Sequence, residues 1–248
     1  MRVQIDGQDA SAEALYLASR GYGHFTAMQV RDQRTRGLGL HLRRLELANR
    51  ELFGAGLDHD RIRWLIRHAL GDTRDASVRV YIHEAAGSEP RVVVSVRPPG
   101  GIDGPVRLKS FEYLRPQPEL KHLATGQAFY GRLARRRGFD DALLTGPAGL
   151  VAETAVGNIG FFDGGHVVWP EAPILLGITM QLLEGPAGLP SRRVPVMLSE
   201  VNRFSGAFVS NARGIAAVSQ VDDVSLRTDA DRMARVLAVY EAIEWDPI

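Results

Sequence analysis

Glu119-Leu120-Lys121-His122-Leu123 is the stretch on which the reading of this chain turns. The chain is rich in arginine, and Lys109 and Lys121 are its only lysines. A guanidinium keeps its proton at physiological pH and cannot act as a nucleophilic amine. A lysine can, once burial or a nearby cation lowers its pKa. Amine chemistry through a side chain therefore has two candidates. Lys121 is the better one, because phosphate- and ring-binding signals follow it. The plain alternative is that both lysines are solvated surface residues.

Three further pieces go with Lys121. The first is Val151-Ala152-Glu153-Thr154-Ala155-Val156-Gly157-Asn158-Ile159. Glu153 falls on a short strand, where a buried carboxylate needs a cationic or protonated partner. A protonated ring nitrogen is one such partner. The second is Leu176-Gly177-Ile178-Thr179, where glycine allows a close turn and the Ile178 and Thr179 N–H groups open a helix. Such an opening suits a phosphate, although Gly-Ile-Thr also serves as an ordinary helix start. The third is His41-Leu42-Arg43-Arg44-Leu45, where one arginine can add a charge-assisted bond to the same phosphate.

Composition narrows the alternatives. With 248 residues the chain suits one large domain or two small ones. Its net charge of +1, without a long basic tract, argues against a nucleic-acid partner. The absence of cysteine excludes disulfides, iron–sulfur clusters and thiolate zinc sites. The histidines lack metal-ligand spacing, so no metal is expected. Met1 to Ala10 lacks a signal-peptide core and no run reaches membrane-spanning length, so a soluble cytoplasmic protein with no membrane partner is expected.

Periodicity predicts a strand over 24–30, then Leu38, Leu40, Leu42 and Leu45 leading into a helix through Phe53, and a helix over 61–70. Strands follow at 78–82 and 92–94, joined by a glycine-containing turn. Arg97-Pro98-Pro99-Gly100-Gly101-Ile102-Asp103-Gly104-Pro105 is the strongest break. The expected division is a domain over 1–97, a linker over 98–105 and a domain over 106–248 that carries Lys121. In the second part a strand over 106–114 and a helix over 123–138 are predicted. A β-meander through 142–169, a turn into a helix over 173–183, and strands at 194–199, 207–210 and 215–218 follow. A closing helix is predicted over 229–245. The arginines at 132 and 135–137 read as favourable charge at a helix C-terminus.

Taken together, these residues resemble the fold-type-IV (class IV) pyridoxal-phosphate aminotransferases. That group includes branched-chain and D-amino acid aminotransferases and aminodeoxychorismate lyases. The resemblance runs from about Tyr22 to about Val218 and is most specific from Lys121 to Thr179. It is carried by the lysine, Asp140-Asp141-Ala142-Leu143-Leu144, Glu153 with Asn158-Ile159, and Gly177-Ile178-Thr179. It implies an α+β fold with a small N-terminal domain, a C-terminal pseudo-barrel and pyridoxal 5'-phosphate between them.

By the same resemblance Lys121 carries the internal aldimine and shuttles the proton between Cα and C4′. Glu153 pairs with the pyridine nitrogen. Arg44 binds the phosphate with the backbone of Ile178 and Thr179. Asn158, Gly177, Asn211 and Ala212 complete the cofactor contacts, and Phe25, Ala212 and Arg213 face the substrate. The family is usually homodimeric. The function implied is transfer of an amino group between an amino acid and a 2-oxo acid. Alternatives are aminodeoxychorismate lyase chemistry, which releases pyruvate and 4-aminobenzoate, and cofactor binding without turnover.

The chain departs from the pattern in several places. The glycine-rich entry is shortened to Ser19-Arg20-Gly21-Tyr22-Gly23, and Ala27 replaces a threonine common in the lyases. Ala124 stands three residues after the lysine, where many members have asparagine. Gly126 stands where branched-chain enzymes place a tyrosine on the cofactor's 3′ oxygen, with Tyr130 a candidate to compensate.

Overall fold

The computed structural model describes residues 1–12, 16, 19, 21–84, 90–185 and 188–248. The expected turn between the strands at 78–82 and 92–94 lies outside them, as does Arg20. Two compact units emerge. One holds Met1–Gly100, Leu120–Ala124 and Glu244–Ile248, and the other holds Gly101–Glu119 and Thr125–Ile243.

The first unit contains strands β1 (Arg2–Ile5), β2 (Gln8–Asp9), β3 (Gly23–Val30), β4 (Arg34–Thr35), β5 (Ala76–His83) and β6 (Arg91–Arg97). Among the described residues, five of them form an antiparallel sheet in the order β2-β1-β6-β5-β3. Helices α1 (Leu38–Phe53) and α2 (His59–Leu70) cover one face. Strand alternation decides which residues meet them. Met28 and Val30 of β3, and Val78, Val80 and Ile82 of β5, pack on Leu42, Leu45, Ile62 and Ile66. Each such side chain contributes about 1.5–3 kcal/mol by leaving water. Phe25, Ala27 and Gln29, with Ser77, Arg79 and Tyr81, lie half-buried on the opposite face.

Helix α1 starts after Gly37 (φ 68°), and the Leu38 N–H donates to the Asp246 carboxylate at 2.8 Å. An anion at that end matches the positive pole of the helix. Asp58 caps α2, accepting from the Asp60 and Arg61 N–H groups at 2.9 and 3.0 Å.

The second unit holds β7 (Val106–Glu112), α3 (Gln127–Arg136), β8 (Asp141–Thr145), β9 (Val151–Thr154), β10 (Asn158–Asp163) and β11 (His166–Pro170). It continues with α4 (Ile178–Leu183), β12 (Ser191–Val194), β13 (Ala207–Asn211), β14 (Gly214–Val221), β15 (Val224–Ser225) and α5 (Ala230–Glu241). Among the described residues its strands make one nine-stranded sheet, ordered β12-β11-β10-β13-β14-β7-β8-β9, with β15 on β14. This mixed sheet curls into a half-barrel, as the α+β pseudo-barrel class requires. No described helix is long and apolar enough to cross a membrane.

Several local expectations are corrected. The helix expected over 123–138 begins only at Gln127, because residues 121–123 are extended along β3. The meander is interrupted: β9 stands at one end of the sheet, while β10 pairs with β11 and β13. The strand expected over 194–199 ends at Val194, and Leu198–Arg203 forms a 3-10 helix. The closing helix stops at Glu241, and Asp246–Pro247 forms β16, paired with β4 of the first unit.

Candidate active site

In the first unit, the site begins at the outer edge of β3. The Phe25 N–H donates to the Lys121 carbonyl at 3.0 Å, and the Leu123 N–H donates to the Gly23 carbonyl at 2.9 Å. His24 and His122 form an antiparallel bridge between these bonds. The register puts Phe25 opposite Lys121, so both side chains leave on the same face. Lys121 Nζ lies over the Phe25 ring, 4.8 Å from its centroid. Phe25 in turn stacks on Tyr81 at 5.5 Å. This pairing groups 120–124 with the first unit, although the chain on both sides belongs to the second.

The other lysine has a different setting. Lys109 Nζ is 2.8 Å from the Asp222 carboxylate, which fixes it in an ion pair.

Beneath the sheet, the buried His41 of α1 shares a 2.6 Å hydrogen bond between Nδ1 and Thr26 Oγ1. Burial, with the Arg44 and Lys121 cations adding to it, lowers the His41 pKa to about 3. His41 is therefore neutral at pH 7. Arg44 follows one turn later, half-buried. The structure thus collects Lys121, Phe25 and Arg44 in this unit around β3 and α1.

In the second unit, Glu153 of β9 is 6% exposed. Its Oε1 accepts from Arg115 Nε at 2.7 Å, and its Oε2 accepts from the Leu175 N–H at 3.3 Å. Arg115, 5% exposed, also donates to the Pro118 carbonyl. Arg115 had no place in the sequence reading. The signal was present in principle: a carboxylate buried on a strand calls for a cation, and Arg115 sits between Leu114 and Pro116 rather than in a charged run.

Asn158, at the start of β10, uses its side-chain amide on both sides of one loop. Its Nδ2 donates to the Leu175 carbonyl at 2.8 Å, and its Oδ1 accepts from the Gly177 N–H at 3.0 Å. The loop so fixed leads into α4, whose first residues Ile178 and Thr179 are buried. The leading N–H groups of a helix have no partners within it. Thr179 Oγ1 donates to the Asn211 carbonyl at 2.9 Å, tying α4 to the turn between β13 and β14. There the Arg213 N–H donates to Asn211 Oδ1 at 2.7 Å, Ala212 is half-buried and Arg213 is exposed. Glu153, Asn158, Gly177, Ile178, Thr179, Asn211, Ala212 and Arg213 therefore all belong to this unit.

Residues 23–221 match the model of amino-transferase class IV, and the chain belongs to that family. No curated protein sequence matches it. Among solved structures, a hypothetical aminotransferase from Mycobacterium tuberculosis in its PLP-bound form has TM-score 0.83 at 21% identity, covering 98% of this chain and 99% of that one. The branched-chain aminotransferase of the thermophilic archaeon Thermoproteus uzoniensis, with norvaline, has TM-score 0.81 at 21% identity, with coverages of 97% and 93%. A putative 4-amino-4-deoxychorismate lyase from Legionella pneumophila has TM-score 0.80 at 18% identity, with coverages of 92% and 93%. At these identities the likeness is one of fold.

Proposed function

We propose that this chain is a pyridoxal-phosphate-dependent aminotransferase that moves an amino group between an amino acid and a 2-oxo acid. The observation that carries the reading is Glu153: a carboxylate buried on a strand and held by Arg115 and the Leu175 N–H. A carboxylate oxygen can take more than one donor. A protonated pyridine nitrogen suits that place, so the residues fit the cofactor. Bound, the cofactor supplies a ring that withdraws electrons from the substrate Cα.

The chain's residues take the following parts. Lys121 Nζ would hold the cofactor through its aldehyde carbon and would carry the proton that leaves the substrate Cα. Glu153 accepts the ring N–H. The Arg44 guanidinium and the backbone N–H groups of Ile178 and Thr179 hold the phosphate, joined by the backbone at Asn211 and Ala212. Asn158 and Gly177 act one step back, by fixing the loop that delivers α4. Phe25, Ala212 and Arg213 border the substrate. The working form is a homodimer.

Borohydride reduction of the purified protein followed by peptide mapping tests this. With two lysines in the chain, the phosphopyridoxyl group should appear on Lys121 and not on Lys109. A protein without a visible absorbance band, or with the group on Lys109, would refute the proposal. Amino acids of both hands then report turnover through the band. Pyruvate formed without an amino acceptor would assign the chain to lyase chemistry, and an unresponsive band to cofactor binding alone.

A further inference from the structure

The second unit has a cavity of about 220 Å³, lined from the turn that joins β10 to β11 and from helix α5. None of the residues given a part in cofactor or substrate binding lines it. Its apolar wall is made by Phe162 of β10, Val167 of β11, Leu189 and Val236 of α5, all of them buried. Gly164 and Gly165 border it, and a Cβ on either would meet no atom within 4 Å, so the turn leaves it open. The polar lining is His166, Arg232 and Arg235. No carboxylate among the described residues lines it.

The acids nearby in the chain are already engaged. Asp163, at the end of β10, is paired with Arg192. Asp229 caps α5 by accepting from the Arg232 N–H at 3.1 Å, and it meets Arg232 Nε at 3.1 Å. That contact uses one edge of the guanidinium. Arg232 Nη1 is buried and has no hydrogen-bond partner among the described residues. The guanidinium carbon lies 5.9 Å from the centroid of the Phe162 ring, which sets the charge beside the apolar wall. Arg235, one turn further along α5, is exposed and makes no ion pair among the described residues.

These features select a ligand by its chemistry. A buried guanidinium N–H without an acceptor costs free energy. An ionised carboxylate is the acceptor that best matches the fork of an arginine. The four buried apolar side chains favour an apolar body over a bare anion. A cavity of about 150 Å³ holds a benzene ring, so this one has room for a single ring or a branched chain together with a carboxylate. We propose that it binds a compact carboxylate with an apolar body. The carboxylate meets Arg232 and Arg235, and the body rests on Phe162, Val167 and Val236. The site stands independently of the cofactor reading.

The experiment titrates phenylacetate into the purified protein, with pyridoxal phosphate present, and follows the backbone amides of Gly164, Gly165 and His166 by NMR. Those signals should shift and saturate. Phenylacetamide, which keeps the ring without the charge, and acetate, which keeps the charge without the ring, should each bind at least about tenfold more weakly. Arg232→Met should weaken phenylacetate by about tenfold or more. Should Arg232→Met fail to fold, Arg235→Glu decides, because that side chain is exposed and its reversal should weaken binding about fivefold. Unmoved amides at 164–166, or an unchanged affinity in whichever variant is measured, would overturn the proposal. Equal binding of phenylacetamide would reduce the site to an apolar hollow, and equal binding of acetate to a bare anion contact; either result also overturns it. A probe that shifts the visible band while leaving those amides unmoved has gone to the cofactor instead, and that too decides against the cavity.

Discussion

Arg115 and Glu153 form an ion pair across 2.7 Å with both side chains almost wholly buried. They come from segments 38 residues apart, and the Leu175 N–H meets the same carboxylate. Breaking such a pair leaves a buried charge without compensation, at a cost of about 3–5 kcal/mol. Arg115→Met should therefore destabilise the second unit by roughly that amount. Replacing both partners, as Arg115→Met with Glu153→Gln, should recover most of the loss. Urea denaturation of the two variants measures it. A double variant as unstable as the single one would show that the charge pairing is not what matters.

Glu153 also has a separable chemical part. Glu153→Ala should abolish turnover while some cofactor still binds, because Lys121 and the phosphate contacts remain. Equilibrium dialysis against pyridoxal phosphate, alongside a half-reaction assay, checks this. A fully active Glu153→Ala enzyme would remove the ring-nitrogen role.

One side chain grips both ends of the loop 175–177. Asn158 holds both the Leu175 carbonyl and the Gly177 N–H, and a Cβ on Gly177 would lie 2.0 Å from Asn158 Oδ1. Gly177→Ala must displace the amide that Asn158→Ala deletes. Each should cost about 1–3 kcal/mol and weaken phosphate binding. Because they disable the same contact, the double variant should cost little more than either alone. Strict additivity would mean that the two act independently.

These relationships were unequally legible in the sequence. The helices at 38–53 and 59–70 and the strands at 76–83 and 91–97 could be read from period and punctuation, since their neighbours lie close in the chain. The extended path of 121–123 could not. Leu123-Ala124 favours a helix locally, but the free edge of β3, about a hundred residues earlier, offers backbone partners that override propensity. The parallel pairing of β7 with β8 and β14 was hidden for the same reason. Of the candidate residues, Lys121, Glu153 and Gly177-Ile178-Thr179 stood out through residue type and spacing. Arg115 did not, because it acts through a partner in a different segment.

The edge pairing that positions Lys121 makes Gly23 irreplaceable. A Cβ there would lie 2.2 Å from the Ile82 carbonyl oxygen and 3.2 Å from the His83 Cα, both backbone atoms that cannot turn aside. Its φ of 151° adds strain for any other residue. Gly23→Ala should push β3 off β5 and loosen the bond from the Leu123 N–H to the Gly23 carbonyl. Hydrogen exchange at the Phe25 and Leu123 amides should then accelerate by at least tenfold, about 1.4 kcal/mol. Unchanged protection at both would show that the 121–123 segment is held by something other than this edge.

Two buried histidines, His24 on β3 and His41 beneath it, set an acid limit on the first unit. Burial lowers His41 to about 3 and His24 to about 4, both from 6.5. For His24 the nearby His122 and His83 add to burial, while an Asn49 hydrogen bond opposes it. The unfolded chain protonates these imidazoles near pH 6.5, but the folded chain keeps them neutral to much lower pH. The unfolded state therefore binds more protons between those values, and stability rises with pH there. It is fully present above about 6.5 and declines as pH falls towards 4 and 3. At pH 5 each histidine should remove roughly 2 kcal/mol relative to neutral pH. Hydrogen exchange of the β3 and β5 amides at about pH 7.5 and about pH 5, corrected for intrinsic rates, reads that loss in the first unit alone. In His41→Gln, which has no proton to bind, the loss should be smaller by about half. Equal losses in the variant and the wild type would show that carboxylates rather than His41 govern acid sensitivity.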